Sequence, residues 1–407
     1  MPALASLRKA HGRRVSWDDL ATVVVGLGMA LATMPSLMVS NPPLITYSDV
    51  ALLVGFAMLL PRMLAGRVHA SPLYLIGALC LLCISLIWLA VAPYSVQVQG
   101  ILRLTYAVVV LPCAIMLWRP SVGRIAVLAG FYVAGTTISV LYGAAYGHPA
   151  DGRNLGLTLH PNGLGHTAML AVALLPFLVG VLPAARFAAL FAGVVCTYGI
   201  WISGSRGSLI ALALVALVYV LRERSATAAL FAWGGFTVLV LVLPRLVSDT
   251  SNNVLSRAAG GGSSSDATGQ RLLALHDSLH EIHEHPLLGN GFGTIRAAQD
   301  AYVQVFAALG IFGLIGFILV LTALALPLFT AKAPLRLIAY AAVGYALLAP
   351  FTDSTSDTMV WAALALCMGA RDSTEAGQAT GATDSSALAV NASGSTAARA
   401  TSSSPRR

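Results

Sequence analysis

Arg153, Arg206, Arg245, Arg271 and Arg296 carry the first chemical suggestion in this sequence. Each guanidinium is permanently charged and offers a planar fork of N–H donors that matches phosphate or carboxylate oxygens. Singly, each is an ordinary loop charge. Jointly, with few carboxylates expected near them, they suit a doubly charged diphosphate. Arg206 lies in the triplet Ser205-Arg206-Gly207, behind Ser203 and Gly204 and ahead of an apolar run that ends at Leu221. It therefore opens a helix whose free N–H groups and positive dipole end favour an anion. An interfacial anchor touching lipid phosphate is the simpler reading of the same residue. Arg103 follows Gly100 at the start of another apolar run, where it can snorkel or line a cavity.

A second group is rich in histidine. His276, His280 and His283 share one helical face, with Glu281, Glu284 and His285 close by. Histidines at i and i+4 can bind zinc. The H-E-x-x-H order is absent, however, and amphipathic loop helices often carry histidines on their wet face, so no metal is expected. His285, just before Pro286, is the histidine placed to reach a site. Cys80-x-x-Cys83 lies inside an apolar run with no second pair, and it reads as two small hydrophobes rather than a redox or zinc motif.

The elements that must position these residues are membrane helices. Of the residues 57% are hydrophobic and 10% charged, against about a quarter charged in a soluble domain. A span needs about 20 apolar residues. Spans are expected at 19–39, 45–61, 71–93, 100–118, 122–146, 162–182, 187–204, 207–221, 227–244, 302–331, 335–351 and 357–370, an all-α polytopic bundle of about twelve helices. Counting loops in order puts Arg8, Lys9, Arg13, Arg14, Arg62, Arg67, Arg119, Arg124, Arg186, Arg222, Arg224, Lys332, Arg336 and Arg371 on one side. The positive-inside rule makes that side the cytoplasm, with both termini there, in the cytoplasmic (inner) membrane. The net charge of +8 thus speaks of topology rather than of nucleic acid.

On this count the arginines of the opening paragraph fall on the outer face. Residues 1–18 form a basic cytoplasmic segment, 19–370 the membrane domain, and 371–407 a disordered tail rich in Ala, Ser, Thr and Gly. Two outer segments stand out, 147–162 and 245–300. The second opens with a flexible run, Gly260 to Gly269, and continues as QRLLALHDSLHEIHEH. There Leu272, Leu275, Leu279 and Ile282 repeat at helical spacing, which predicts an amphipathic helix on the bundle or membrane surface.

Four segments together resemble the O-antigen ligase and O-antigen polymerase family of polytopic envelope glycosyltransferases. They are Arg153 with His160-Pro161-Asn162-Gly163; Ser205-Arg206-Gly207; Arg271 followed by His285-Pro286-Leu287-Leu288-Gly289-Asn290-Gly291; and AQDAYVQVFAALGIFG at 298–313, with Gly310 and Gly313. The resemblance covers about 150–315. It implies transfer of a glycan from a polyprenyl-diphosphate donor to an acceptor glycan or lipid, outside the cytoplasmic membrane, with no cofactor. Arg153, Arg206, Arg245 and Arg271 would hold the donor diphosphate, stabilising the charge that grows on the leaving group. His160 and Asn162 would belong to the outer-loop motif. The family's closing histidine is replaced here by Gln299, which cannot act as a base at neutral pH. Asp300, next to it, and His285 are the remaining candidates for proton acceptor. Two other classes fit parts of the pattern. A flippase or transporter of lipid-linked sugars would show broken, charged helices near the midplane and internal repeats. A non-catalytic relative would bind lipid-linked glycan without transferring it.

Overall fold

The computed structural model describes residues 16–37, 45–65, 71–147, 149–150, 153–223, 264–292 and 299–369. The expected span at 227–244, together with Arg245, Arg296 and the two terminal segments, lies outside these. The described chain is almost wholly helical. It runs α1 (Trp17–Ala32), α2 (Tyr47–Ala65), α3 (Pro72–Val91), α4 (Ser95–Trp118) and α5 (Val122–Tyr146), then a two-stranded hairpin, β1 (Pro149–Ala150) and β2 (Arg153–Asn154). There follow α6 (Pro161–Val181), α7 (Arg186–Ser203), α8 (Arg206–Glu223), α9 (Ser264–Glu284), α10 (Ala301–Ala325), α11 (Tyr340–Leu348) and α12 (Thr358–Gly369). Among the described residues seven helices are long and apolar enough to cross a bilayer: α2 to α6, α7 with its leading turn, and α10 continued to Thr330.

Sequence chemistry explains the boundaries. Ser16 caps α1 and shares a reciprocal capping box with Asp19, so two otherwise unpaired N–H groups are satisfied at once. Proline opens α3 and α6, where its missing N–H costs nothing. Gly204, in the left-handed conformation, ends α7 and lets α8 start two residues later.

Helix α10 packs along α3, α1 against α2 and α5, α6 against α5 and α7, and α8 against α11. Helix α12 is buried from Val360 to Met368 and forms part of the main core. It rises only about 18 Å at 1.5 Å per residue, well short of the about 30 Å of a bilayer's hydrocarbon. The connection Thr352–Asp357 ahead of it is therefore sunk below the level that a full-length span would reach.

Three of the basic residues assigned to one side by counting loops are paired in two clusters. Arg62 and Arg124 both reach Asp18, and Arg124 also bonds Asp19 at 3.2 Å. Arg336 pairs with Glu223, which also accepts from Tyr340 Oη at 3.2 Å. These clusters lie at the ends of α1, α2, α8 and α11 away from His160, Arg206 and Phe351.

One expectation about the outer segment changes: the run Gly260–Gly269 is not flexible throughout, because α9 begins at Ser264. In the leucine repeat Leu275 and Ile282 are half-buried and Leu272 and Leu279 exposed, while Ala274 and Ser278 between them are buried. The five cysteines are free, and Cys83 faces outward rather than into the core.

Candidate functional site

The four motif segments converge at one end of the bundle, and the physical reason differs at each. Arg153, on β2, is buried with 7% of its surface exposed. Its Nε donates to the Ser203 carbonyl at 2.8 Å and its Nη2 to Asn162 Oδ1 at 2.5 Å. One guanidinium thus ties the hairpin to the start of α6 and to the end of α7. His160 caps α6, its Nδ1 accepting from the Asn162 N–H at 3.2 Å. Ser205 and Ser208 share a hydroxyl contact of 2.9 Å at the start of α8. A methyl group on Gly165 would meet Ser205 Cβ at 2.6 Å and the Ser203 and Ser208 hydroxyls at 2.9 Å, so α6 and the Ser-Arg-Gly turn meet only because Gly165 has no side chain. Arg206, the first residue of α8, is half-buried.

The other two segments lock together. Helix α10 is broken at Gly310, whose φ of 65° and ψ of −169° suit glycine alone. Backbone groups freed by the break bond to the glycine-rich loop: Asn290 N–H to the Ala307 carbonyl, Gly291 N–H to that of Ala308, and Ile311 N–H to that of Pro286, each at 2.9 Å. Interruption of a membrane helix requires such internal satisfaction. Trp88 Nε1 donates to the Leu288 carbonyl at 2.7 Å, and Gln97 Oε1 accepts from the Phe292 N–H. The turn after His285 is thereby fixed to α3 and α4 as well.

Between these segments lies a cavity of about 550 Å³, within the range of small-ligand sites. His160, Asn162 and Gln299 line it, and so do Arg103, Tyr106, His166, Asp49, Asp353, Ser354 and Asp357. Tyr106 projects from a π-helical stretch, Thr105–Val110, inside α4, a distortion frequent at functional sites. The Thr352–Asp357 connection is held from below by aromatic groups. Tyr345 Oη donates to the Ser354 carbonyl at 2.9 Å and Trp361 Nε1 to that of Thr355 at 2.9 Å. Phe317 packs edge-on against both rings.

The site residues read from the sequence are therefore divided. Gln299, His160 and Asn162 line the cavity, and Arg103 does too. Arg153 stands behind Asn162, and Arg206 and Arg271 are half-buried outside the lining. Asp300 is the N-cap of α10, its Oδ1 accepting from Tyr302 N–H at 2.9 Å and Val303 N–H at 3.1 Å. His285 is exposed at the end of α9, beside Glu281 and Glu284, with ligand-type atoms of the three within 4.8 Å of one another. Glu281 is already engaged by Asn290 and Glu284 by His280.

The expectation of few carboxylates at this end does not hold. Asp49, at the start of α2, and Asp353 and Asp357, in the polar connection before α12, all border the cavity. Sequence reasoning passed over these three, and over Tyr106 and His166. The available signal was the polar run Thr352-Asp353-Ser354-Thr355-Ser356-Asp357-Thr358 between two apolar spans. No family model matches the chain, and no curated protein matches it in sequence.

Proposed function

We propose that this chain is a glycosyltransferase of O-antigen ligase or polymerase type, acting on a polyprenyl-diphosphate-linked glycan at the outer face of the cytoplasmic membrane. The reading takes about twelve spans with both termini cytoplasmic. The observation that carries it is the cavity, away from the Arg62, Arg124 and Arg336 clusters, that His160, Asn162 and Gln299 border among largely apolar walls. A membrane bundle does not enclose carboxylates, imidazoles and amides without a use for them.

In this reading the acceptor sugar enters the cavity and the donor diphosphate stays at its edge, toward Arg206 and Arg271. An acceptor hydroxyl attacks the anomeric carbon. Its proton passes to Asp357, the new C–O bond forms, and the old C–O bond breaks with its electron pair leaving on the diphosphate. Asp357 is preferred to Asp300 and His285, because Asp300 is committed to capping and neither lines the cavity. The activated donor supplies the driving force, so the step draws on no nucleotide or metal.

Purified protein in nanodiscs, given polyprenyl-diphosphate glycan and acceptor, should release polyprenyl diphosphate and lengthen the acceptor. Donor binding without release would favour the non-catalytic relative, for which Gln299 at the histidine position is the supporting observation. Movement of intact donor across a vesicle membrane would favour the flippase.

A further inference from the structure

Three buried hydrogen-bonding atoms belong to residues that line the cavity and have no hydrogen-bond partner: Tyr106 Oη, His166 Nε2 and Gln299 Oε1. They come from α4, from α6 and from the segment leading into α10. Polar groups buried in this way are rare and costly in a folded chain unless a ligand or water completes them. His166 is the sharpest case. It is 1% exposed, and its other nitrogen is already occupied, with Nδ1 at 3.3 Å from Thr352 Oγ1 and 3.4 Å from Ser354 Oγ. The ring is therefore oriented by the Thr352–Asp357 connection, leaving Nε2 for something else. Three such atoms around one cavity match a ligand with several hydroxyl groups.

Charge narrows the ligand further. The lining holds the carboxylates of Asp49, Asp353 and Asp357 against the single guanidinium of Arg103. Asp49 accepts from the Thr46 N–H at 2.9 Å and hydroxyl at 2.8 Å, which fixes its position but leaves its charge. An anionic group entering this cavity would meet repulsion from this excess of carboxylates.

We infer that the cavity is an acceptor-sugar subsite in which Tyr106, His166 and Gln299 read hydroxyl groups, and that it takes sugars without negative charge, neutral or amine-bearing, while rejecting uronic acids. The inference rests on the glycosyltransfer reading for the polyhydroxylated nature of the ligand. It adds the specificity and the residues that set it.

The test is binding of nanodisc-embedded protein to an array of neutral, amino-bearing and uronic-acid oligosaccharides, read beside the transfer assay. Wild type should bind neutral and amino members, with uronic-acid counterparts at least about tenfold weaker. Tyr106→Phe and His166→Asn should each weaken binding about tenfold, the scale of one lost hydrogen bond. Asparagine keeps a polar atom near the Nδ1 position and deletes Nε2, so the Thr352 contact can survive. Glutamine places its amide near Nε2 instead, and His166→Gln should retain more binding than His166→Asn. Equal binding of uronic acids, unchanged binding in both deletion variants, or no glycan bound by wild type would overturn the inference. Transfer without this selectivity would sink it while leaving the glycosyltransferase reading intact. Selective binding without transfer would do the reverse.

Discussion

Replacing Arg153 with alanine separates a ligand for diphosphate from a brace for the site. The sequence makes Arg153 one of several outer arginines suited to an anion, yet its guanidinium points inward. It bonds the Ser203 carbonyl at 2.8 Å and Asn162 Oδ1 at 2.5 Å. Ser203 is fully buried and Asn162 is 9% exposed, so water cannot readily replace the lost donor. A hydrogen bond to a charged group is worth about 1.5–3 kcal/mol, which makes about 3–6 kcal/mol for the pair, a large part of the about 5–15 kcal/mol that stabilises a typical domain. Arg153→Ala should therefore lower the melting temperature of the purified protein in nanodiscs and reduce its level in membranes, with transfer falling as a consequence. Arg153→Lys keeps the charge but not the fork and should lose about half as much. If Arg153→Ala melts like wild type and loses only affinity for the donor, the brace is refuted and the arginine is a diphosphate ligand.

The remaining predictions concern the other segments. Gly310→Ala should destabilise by more than about 2 kcal/mol, since a methyl group there meets the Leu287 carbonyl oxygen at 2.1 Å with φ at +65°. Gly130→Ala, with nothing within 4 Å in the middle of α5, should be neutral or gain up to about 1 kcal/mol; equal melting of the two variants would refute the account of the break. Asp300→Asn preserves a good capping residue and should keep near-wild-type transfer, whereas Asp357→Asn should lose it; the opposite outcome in the nanodisc assay would return the proton to Asp300. Arg206→Lys should be impaired and Arg206→Ala more so, by about 2–4 kcal/mol of transition-state stabilisation, at normal protein levels; full transfer by Arg206→Ala would make it an interfacial anchor.

The sequence was informative where composition and periodicity speak together. Apolar runs mark where α1 to α8, α10 and the last two helices lie, and Pro, Ser and Gly at their edges mark where they start and stop. Arg62 and Arg124, which the arginine count put on the same side, do meet at Asp18. The helix α9 was visible but its buried face was not. The leucine repeat marks an amphipathic helix, but it does not single out Ala274 and Ser278, the residues that α9 buries most completely.

The candidate site was legible only in part, for a reason rooted in how each residue is used. Arginines and glycine turns announce themselves in an apolar sequence, yet Arg153, Gly289 and Gly310 are engaged in holding backbone segments together. The residues that enclose the cavity look ordinary in one dimension. Tyr106 lies mid-span, and nothing in one dimension marks the π-helical stretch from which it reaches the cavity lining. His166 reads as one more core residue of α6 until the Thr352–Asp357 connection folds over it. That connection is short and polar, and it resembles a plain outer loop. Its position depends on the shortness of α12 and on Tyr345 and Trp361 holding it from beneath. A polar loop drawn below the surface of an apolar bundle brings its carboxylates and a half-satisfied imidazole into one enclosure. That depth, rather than any one motif, is what gives the cavity its capacity to select a ligand.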